Sequence, residues 1–216
     1  MPTLAMKHKM KSNIKPNSLL LLVCLSATAS NASPETFDFK DPKGVNNVVF
    51  QLDAPLESVN GSANGITGTV SFDPANPGTT TGVINVAADS LTVPNPLQKE
   101  HLHGPNWLDV AKYPDIKFEA QSLSEVRTVG NTTTAEVTGI FSLHGVSQTV
   151  TAPLTLTYLP GRLGDRVPGQ HGDLLVIRSQ FSIKRGDFNI QKGQYEDKVS
   201  EDIHLTLAIA GACAKP

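Results

Sequence analysis

Apolar and polar residues alternate along most of this chain, which is the pattern of β-strands that bury one face. In residues 66–72 (ITGTVSF) the apolar and glycine positions take one face and the hydroxyl residues take the other. Strong alternation also marks three later segments and weaker alternation marks four more: 137–143, 150–158 and 203–209, then 48–52, 83–88, 116–120 and 177–183. Sustained helical periodicity is absent. The pattern predicts an antiparallel sheet with one apolar and one polar face.

Turn-forming pairs separate these segments, among them Asn60-Gly61, Asp73-Pro74, Gly130-Asn131 and His144-Gly145. About eight strands or more therefore belong to one sheet. Closing that sheet into a barrel hides its apolar face and removes the free edges on which chains aggregate. We expect an all-β fold, an antiparallel β-barrel of about eight strands. A two-sheet sandwich is the alternative that the pattern leaves open.

Two stretches break the alternation. Residues 94–112 read as an irregular connection with a short helix, and they carry the only tryptophan, Trp107. Residues 160–172 (PGRLGDRVPGQHG) form a long segment rich in glycine, proline and charge. Loops of this length are usually functional or disordered. The second segment should overhang one end of the barrel, either as a mobile lid or as a solvated excursion.

The N-terminus is predicted to be a cleaved signal peptide, residues 1–32. Four lysines precede a short apolar run at 19–23 (LLLLV), and small residues ending at Ala32 offer a cleavage site before Ser33. The run is too short to span a membrane, which takes about 20 residues. Cys24 would suit a lipoprotein signal, but Val23 stands where such a signal has a small residue. We expect no transmembrane segment in the mature chain.

Residues 33–216 then form a single domain, and its composition limits its partners. The chain has 18 basic and 20 acidic residues, and four of the basic ones lie in the first 32, so the remainder carries a net charge of −6. An acidic surface argues against nucleic acid and anionic lipid headgroups. Cys213 is the only cysteine left, so no intramolecular disulfide forms. Export without disulfides fits a periplasmic protein with a large core of its own.

Six motifs in order resemble the YceI-like family, the polyisoprenoid-binding, lipocalin-like proteins of bacterial periplasms. They are GTVSFDP at 68–74, EHL at 100–102, WLD at 107–109, YPDIKF at 113–118, LHGV at 143–146 and IKRGDFNI at 183–190. Asn46-Asn47, Gln98-Lys99 and Asn189 depart from the family pattern. The resemblance covers most of the mature chain. It implies a lipocalin-like barrel that holds a polyisoprenoid chain along its interior.

The predicted ligand-binding residues are therefore the apolar side chains on the inward faces, with Trp107 near one end. They are Val70, Phe72, Trp107, Phe118, Phe141, Leu143, Leu156, Phe181 and Ile183. The same residues would equally suit a core in which they only pack against one another. Gly68 and Gly139 also fall on inward faces, where they either leave room or mark bends.

A metal or redox site is the main alternative. If His101 and His103 lay on a strand, both imidazoles would share one face, but a site needs at least a third protein ligand. Cys213 adds a thiol elsewhere. No Gly-x-Ser-x-Gly, His-Glu-x-x-His or Cys-x-x-Cys motif occurs. Arg185 and Asp187 read as a structural ion pair. We therefore expect neither catalysis nor a cofactor or bound metal.

The sequence thus predicts a periplasmic, non-catalytic protein that binds a long apolar ligand, such as a polyisoprenoid or an isoprenoid quinone, for transport or storage. The alternative is a secreted metal or redox accessory protein that uses His101 and His103. A homodimer is an expectation from the family resemblance. The pattern of residues does not identify the lipid.

Overall fold

The computed structural model describes residues 1–3 and 33–216. The predicted signal peptide therefore lies outside the described residues, except for its first three. Within the described residues, ten β-strands and two short α-helices make up the fold. The strands are β1 (Glu35–Asp38), β2 (Asn47–Asp53), β3 (Ser58–Ala63), β4 (Ile66–Phe72), β5 (Thr81–Ala87), β6 (Asp115–Val129), β7 (Thr132–Leu143), β8 (Val146–Leu159), β9 (Gly172–Lys184) and β10 (Asp202–Ala214); the helices are α1 (Pro96–His103) and α2 (Leu163–Arg166).

The strands form one antiparallel sheet that closes on itself. β1 pairs with β4 on one side and with β10 on the other, so the sheet has no free edge at this point. β1 and β2 both pair with β10, at different places along it, and together they occupy one position in the barrel. β4 pairs with β1 and β3 pairs with β2, so β3 and β4 together occupy the next position. The ten strands therefore occupy eight positions of a closed barrel. The predicted barrel is confirmed, and the two-sheet sandwich is not the fold.

Alternation along β7 shows how the sequence builds the wall. Ala135, Val137 and Phe141 are buried inside, whereas Glu136 and Thr138 between them face outward. Thr138 and Thr151 share a hydrogen bond of 2.9 Å across strands β7 and β8 on that outer face. The inner face thus gains stability from burial, at about 25 cal/mol per Å² of apolar surface removed from water. The outer face gains it from cross-strand pairs.

One end of the barrel is filled by its own side chains, and we call it the packed end. Phe37, Phe39 and Leu175 have no exposed surface there, and Phe72 is 2% exposed. The Phe37 ring meets the Phe72 and Tyr158 rings at centroid distances of 6.4 and 6.2 Å. Edge-to-face contacts of this kind stabilise aromatic clusters beyond their area burial.

A buried carboxylate completes the packed end. Tyr158 donates its hydroxyl to Asp173 at 2.5 Å, and Lys215 donates to Asp173 at 2.6 Å and to Glu35 at 2.7 Å. Burial of the Asp173 carboxyl opposes its ionisation, but the hydrogen bonds from Lys215, Tyr158 and the Gly161 N–H outweigh burial and lower its pKa to about 2. Burial and the hydrogen bond to the same carboxylate raise the pKa of the Tyr158 hydroxyl.

Acid should therefore weaken the fold through Asp173. Its folded pKa of about 2 lies below the unfolded value near 3.8, so its contribution is present above pH 4 and is lost as the pH falls from 4 to 2. We expect a loss of about 2 kcal/mol, since each pKa unit corresponds to about 1.4 kcal/mol. Urea unfolding at pH 7 and pH 2 measures it. Asp173→Asn should lack this part of the pH dependence, whereas the exposed Asp202→Asn should keep it.

The segment 160–172 does not cover an open mouth of the barrel. It joins β8 to β9 at the packed end, and within it α2 buries Leu163 completely. Arg166 binds the Asp41 carboxylate at 2.9 Å and donates to the Asn46 side-chain oxygen at 3.0 Å. These contacts anchor the segment, which overhangs the packed end rather than the ligand entrance and is exposed to solvent over most of its length.

The predicted helical connection is present as α1. Asn95 caps it, because its side-chain oxygen accepts hydrogen bonds from the N–H groups of Leu97 and Gln98 at 2.9 and 3.2 Å. Pro96 follows at the first helical position, where proline is favoured. In the part of the chain that the structure describes, no helix has the length and apolar character needed to cross a bilayer.

Candidate ligand-binding site

The other half of the barrel encloses a cavity of about 1100 Å³. Its wall is formed mostly by apolar side chains of β2 to β10. Its mouth lies at the end where α1 and the residues after β9 are found. Polar and aromatic residues ring this mouth, among them Glu57, Gln98, His101, Trp107, Tyr195 and Lys198. The barrel is therefore a tube with one packed end and one open end.

Seven of the nine predicted residues line this cavity: Val70, Trp107, Phe118, Phe141, Leu143, Phe181 and Ile183. The other two, Phe72 and Leu156, do not. Phe72 is the last residue of β4 and packs on Tyr158 at a ring distance of 5.8 Å, and Leu156 is 1% exposed in the same cluster. Both face inward as predicted, but they lie at the packed end, where side chains fill the lumen.

Several lining residues come from segments without alternation and are not among the nine predicted ligand-binding residues. Leu91 and Val93 follow β5, Leu108 follows α1, and Ile190 and Val199 belong to the connection before β10. All five are apolar residues in stretches that look like loops. The signal available in the sequence is the occurrence of several apolar residues in a segment that otherwise looks like a loop. Such a segment is expected to cover part of a core.

Glycines let aromatic rings lie flat against the inner wall. A Cβ atom on Gly139 would come within 2.6 Å of the Phe118 ring, and one on Gly61 would come within 2.2 Å of the Phe50 ring. Gly139 therefore gives its space to a neighbouring ring rather than to the lumen. Gly68 has a different role, since its φ of +131° is one that side chains rarely allow. Phe118 and Phe50 thus occupy space that a larger residue at Gly139 or Gly61 would take.

A single buried arginine shapes one side of the mouth. Arg185 is 1% exposed at the end of β9, and its guanidinium donates to the backbone carbonyls of the connection that leads to β10. The acceptors are Ser200 at 3.1 Å, Ile190 at 3.0 Å and Val199 at 3.3 Å, together with Gln191 and Gln194. Its carboxylate neighbour is Glu201, at 3.6 Å. The predicted ion pair between Arg185 and Asp187 is therefore wrong. Asp187 is exposed to solvent, and the carboxylate beside the guanidinium is that of Glu201.

His101 and His103 lie on α1, not on a strand. Residues two apart on an α-helix are rotated by about 200° around the helix axis and so lie on nearly opposite sides of it. The two imidazoles therefore cannot share a face. His103 has a structural partner, since its Nε2 is 2.8 Å from the carbonyl oxygen of Leu91. Cys213 pairs in register with Asp173 near the packed end, far along the barrel from α1, and burial raises the pKa of its thiol. The groups of the metal and redox alternative are thus dispersed.

No cluster of three or more histidine, cysteine, aspartate or glutamate side chains suited to a metal ion occurs among the residues that the structure describes.

Comparison with known proteins places the chain in a family. Residues 40–210 match the model of the YceI-like domain. A UPF0312 protein of Pseudomonas fluorescens is 29% identical over 140 residues, which cover 65% of this chain and 67% of that protein. A UPF0312 protein of Yersinia pestis is 29% identical over 155 residues, covering 72% and 74%.

Solved structures share the fold at lower identity. BcnA of Burkholderia cenocepacia is 20% identical with a TM-score of 0.61, covering 76% of this chain and 95% of that one. A polyisoprenoid binding domain from Saccharophagus degradans, implicated in plant cell wall breakdown, is 11% identical with a TM-score of 0.54, covering 84% and 98%. The motifs, the closed barrel and the domain match agree, and this chain belongs to the YceI-like family.

Proposed function

We propose that this protein binds one long apolar lipid, of the polyisoprenoid type, inside its barrel and without catalysis. The observation that supports this most directly is the cavity of about 1100 Å³, lined mostly by apolar side chains and open at one end. Small-ligand sites are typically concave, apolar and preformed, with a few polar groups at fixed places. A hydrocarbon chain suits a tube of this shape because no polar atom needs a partner along its length.

The size and energetics of the cavity support such a ligand. At roughly 30 Å³ for each non-hydrogen atom, about the share of a water molecule, the cavity has room for on the order of 30 atoms. Burying a CH₂ group contributes about 0.8 kcal/mol, so each five-carbon unit contributes roughly 3–4 kcal/mol. Three such units exceed the roughly 8 kcal/mol of micromolar binding, which leaves a margin for ordering the chain.

The polar groups beside the cavity favour binding over chemistry. Arg185 is occupied by backbone carbonyls and Glu201, and His103 is held by the Leu91 carbonyl. These contacts are structural and shape the wall. The polyisoprenoid binding domain from Saccharophagus degradans has the same fold, which adds support for a prenyl ligand.

We infer a periplasmic location from the predicted signal peptide at 1–32, with transport or storage of the lipid as the role. Fractionation of cells that produce the full chain would test this. The expected result is mature protein, cleaved before Ser33, in the periplasmic fraction; uncleaved protein in the cytosol would contradict it.

Mass spectrometry of lipid extracts from natively purified full-length protein tests the ligand. We expect prenyl chains at near one equivalent per barrel, together with no stoichiometric metal in the same sample. Metal without lipid would instead support the alternative function based on His101 and His103. An empty protein that also takes up no prenyl alcohol from solution would contradict lipid binding itself.

A further inference from the structure

Exposed apolar side chains are gathered around the mouth of the cavity. Leu56 is 67% exposed, Leu97 is 59% exposed and Tyr195 is 56% exposed. They come from three separate parts of the chain: the turn between β2 and β3, helix α1, and the connection between β9 and β10. We call these three residues, together with Trp107, the apolar rim. Such side chains in water have a free-energy cost that a contact partner would remove.

Direct contacts tie the rim to the mouth. The Leu56 N–H donates to the Asp197 carbonyl oxygen at 2.9 Å, so the β2–β3 turn touches the segment that carries Tyr195. The Trp107 and Tyr195 rings lie 6.2 Å apart. The turn that carries Leu56 therefore adjoins the segment of Tyr195, and the Tyr195 ring adjoins the Trp107 ring.

The rim is continuous with the lining of the cavity. Tyr195 and Trp107 belong to both. Leu97 and His101 are four residues apart and so share a face of α1, and His101 lines the mouth. Leu56 directly precedes Glu57, another residue of the mouth. The rings of Tyr195 and Trp107 thus connect the rim with the tube, and the two leucines lie beside residues of the mouth.

The charges around the rim are mixed, with a small acidic excess. Four basic residues stand beside six carboxylates in the same segments: Lys99, Arg185, Lys192 and Lys198 with Glu57, Glu100, Asp187, Glu196, Asp197 and Glu201. A surface with this balance has no net attraction for anionic lipid headgroups. It is compatible with a zwitterionic bilayer surface, where leucine inserts into the acyl boundary and tyrosine and tryptophan sit at headgroup level.

We propose that the apolar rim docks the mouth on a zwitterionic lipid bilayer, so that a prenyl chain passes between membrane and tube without crossing water. This inference rests on the proposed lipid-binding function. Exchange through such a contact needs the membrane, whereas equilibrium binding of a soluble ligand does not.

The test compares full-length protein with a Leu56→Gln, Leu97→Gln double variant and with Val129→Gln. Val129 is 83% exposed, but it lies at the end of β6, near the packed end. The probe is dansyl-labelled geranylgeraniol, titrated first from solution and then presented in phosphatidylcholine vesicles. We expect uptake from vesicles to slow about tenfold or more in the double variant, the effect of losing roughly 1.4 kcal/mol of apolar contact. Its affinity in solution should match the parent's, and Val129→Gln should behave like the parent in both assays.

Equal uptake rates in the parent and the double variant would overturn the docking proposal and leave lipid binding intact. A requirement for phosphatidylglycerol in the vesicles would overturn the zwitterionic assignment. Sedimentation velocity tests whether the rim instead contacts a second copy of the chain. A parent protein that is dimeric, together with a double variant that is monomeric, would overturn membrane docking in favour of that contact. Failure of the parent to bind the probe from solution would instead remove the proposed function, and with it this inference.

Discussion

Replacing Arg185 by alanine is expected to lower the free energy of unfolding by about 3–5 kcal/mol, the usual effect of removing one partner from a buried charged network. The change leaves several partly buried backbone carbonyls without their donor and the Glu201 carboxylate without its counter-charge at 3.6 Å. Each orphaned polar group costs about 1–3 kcal/mol. The connection between β9 and β10 should therefore separate from the barrel, and the mouth should lose one wall.

Urea unfolding at neutral pH measures this effect. The matched control is Lys184→Ala, one residue earlier on the same strand, where Lys184 and Asp202 form an ion pair at 3.0 Å with both side chains half exposed. Exposed pairs contribute about 0–1 kcal/mol, so the control should differ little from the parent. The free energy of unfolding of Arg185→Lys should lie between those of the two alanine variants. An ammonium group has three donors, but it lacks the planar guanidinium that reaches carbonyls in several directions. Equal losses for Arg185→Ala and Lys184→Ala would show that the connection is held by other contacts.

Filling the tube with Ala152→Phe should reduce the affinity for a prenyl chain about a hundredfold. Ala152 is 2% exposed on β8 and lines the cavity, so a benzyl group there projects into the space that the ligand would occupy. Displacing one five-carbon unit removes about 3 kcal/mol of burial, which corresponds to roughly two orders of magnitude in the dissociation constant. Stability should be retained, because the new ring enters a void. Titration with labelled geranylgeraniol and thermal unfolding give the two readouts.

Thr151→Phe is the control for this variant. Thr151 is the preceding residue of β8, is exposed and points to the opposite face. The same aromatic group is thereby added outside the barrel wall, where the affinity should stay close to that of the parent. A pair of variants with equal affinity would mean that the ligand binds somewhere other than the lumen.

Alternation in the sequence predicts which way a strand residue faces, and here it predicted the inner wall well. Phe141 and Ile183 face the cavity because each stands in a period-two run. The same rule places Phe72 and Leu156 inside, and inside they are. Period two carries no information about height along the barrel, however. An inward side chain can line the cavity or pack against other side chains. Which of the two occurs depends on how rings from distant strands, such as Phe37 and Tyr158, fill one end of the barrel.

Other features needed information from outside the strands. Asn95-Pro96 is a recognisable helix start, so the sequence did contain the signal that puts His101 and His103 on a helix. The partners of Arg185 are different. Asp187 is its neighbour in sequence, but Glu201 and the surrounding carbonyls reach it only after the chain has folded back between β9 and β10. Local patterns cannot show contacts that long-range packing creates.

Because aromatic rings and the Asp173 network fill one end of the barrel, the lumen formed by the described residues opens at the other end. A lipid bound as proposed would enter tail first and leave headgroup first. Its headgroup would stay near the opening, where a receiving protein or membrane could contact it before the tail leaves the lumen. Loading and release would then both depend on the same opening, and a chain longer than the lumen would protrude there rather than through the packed end.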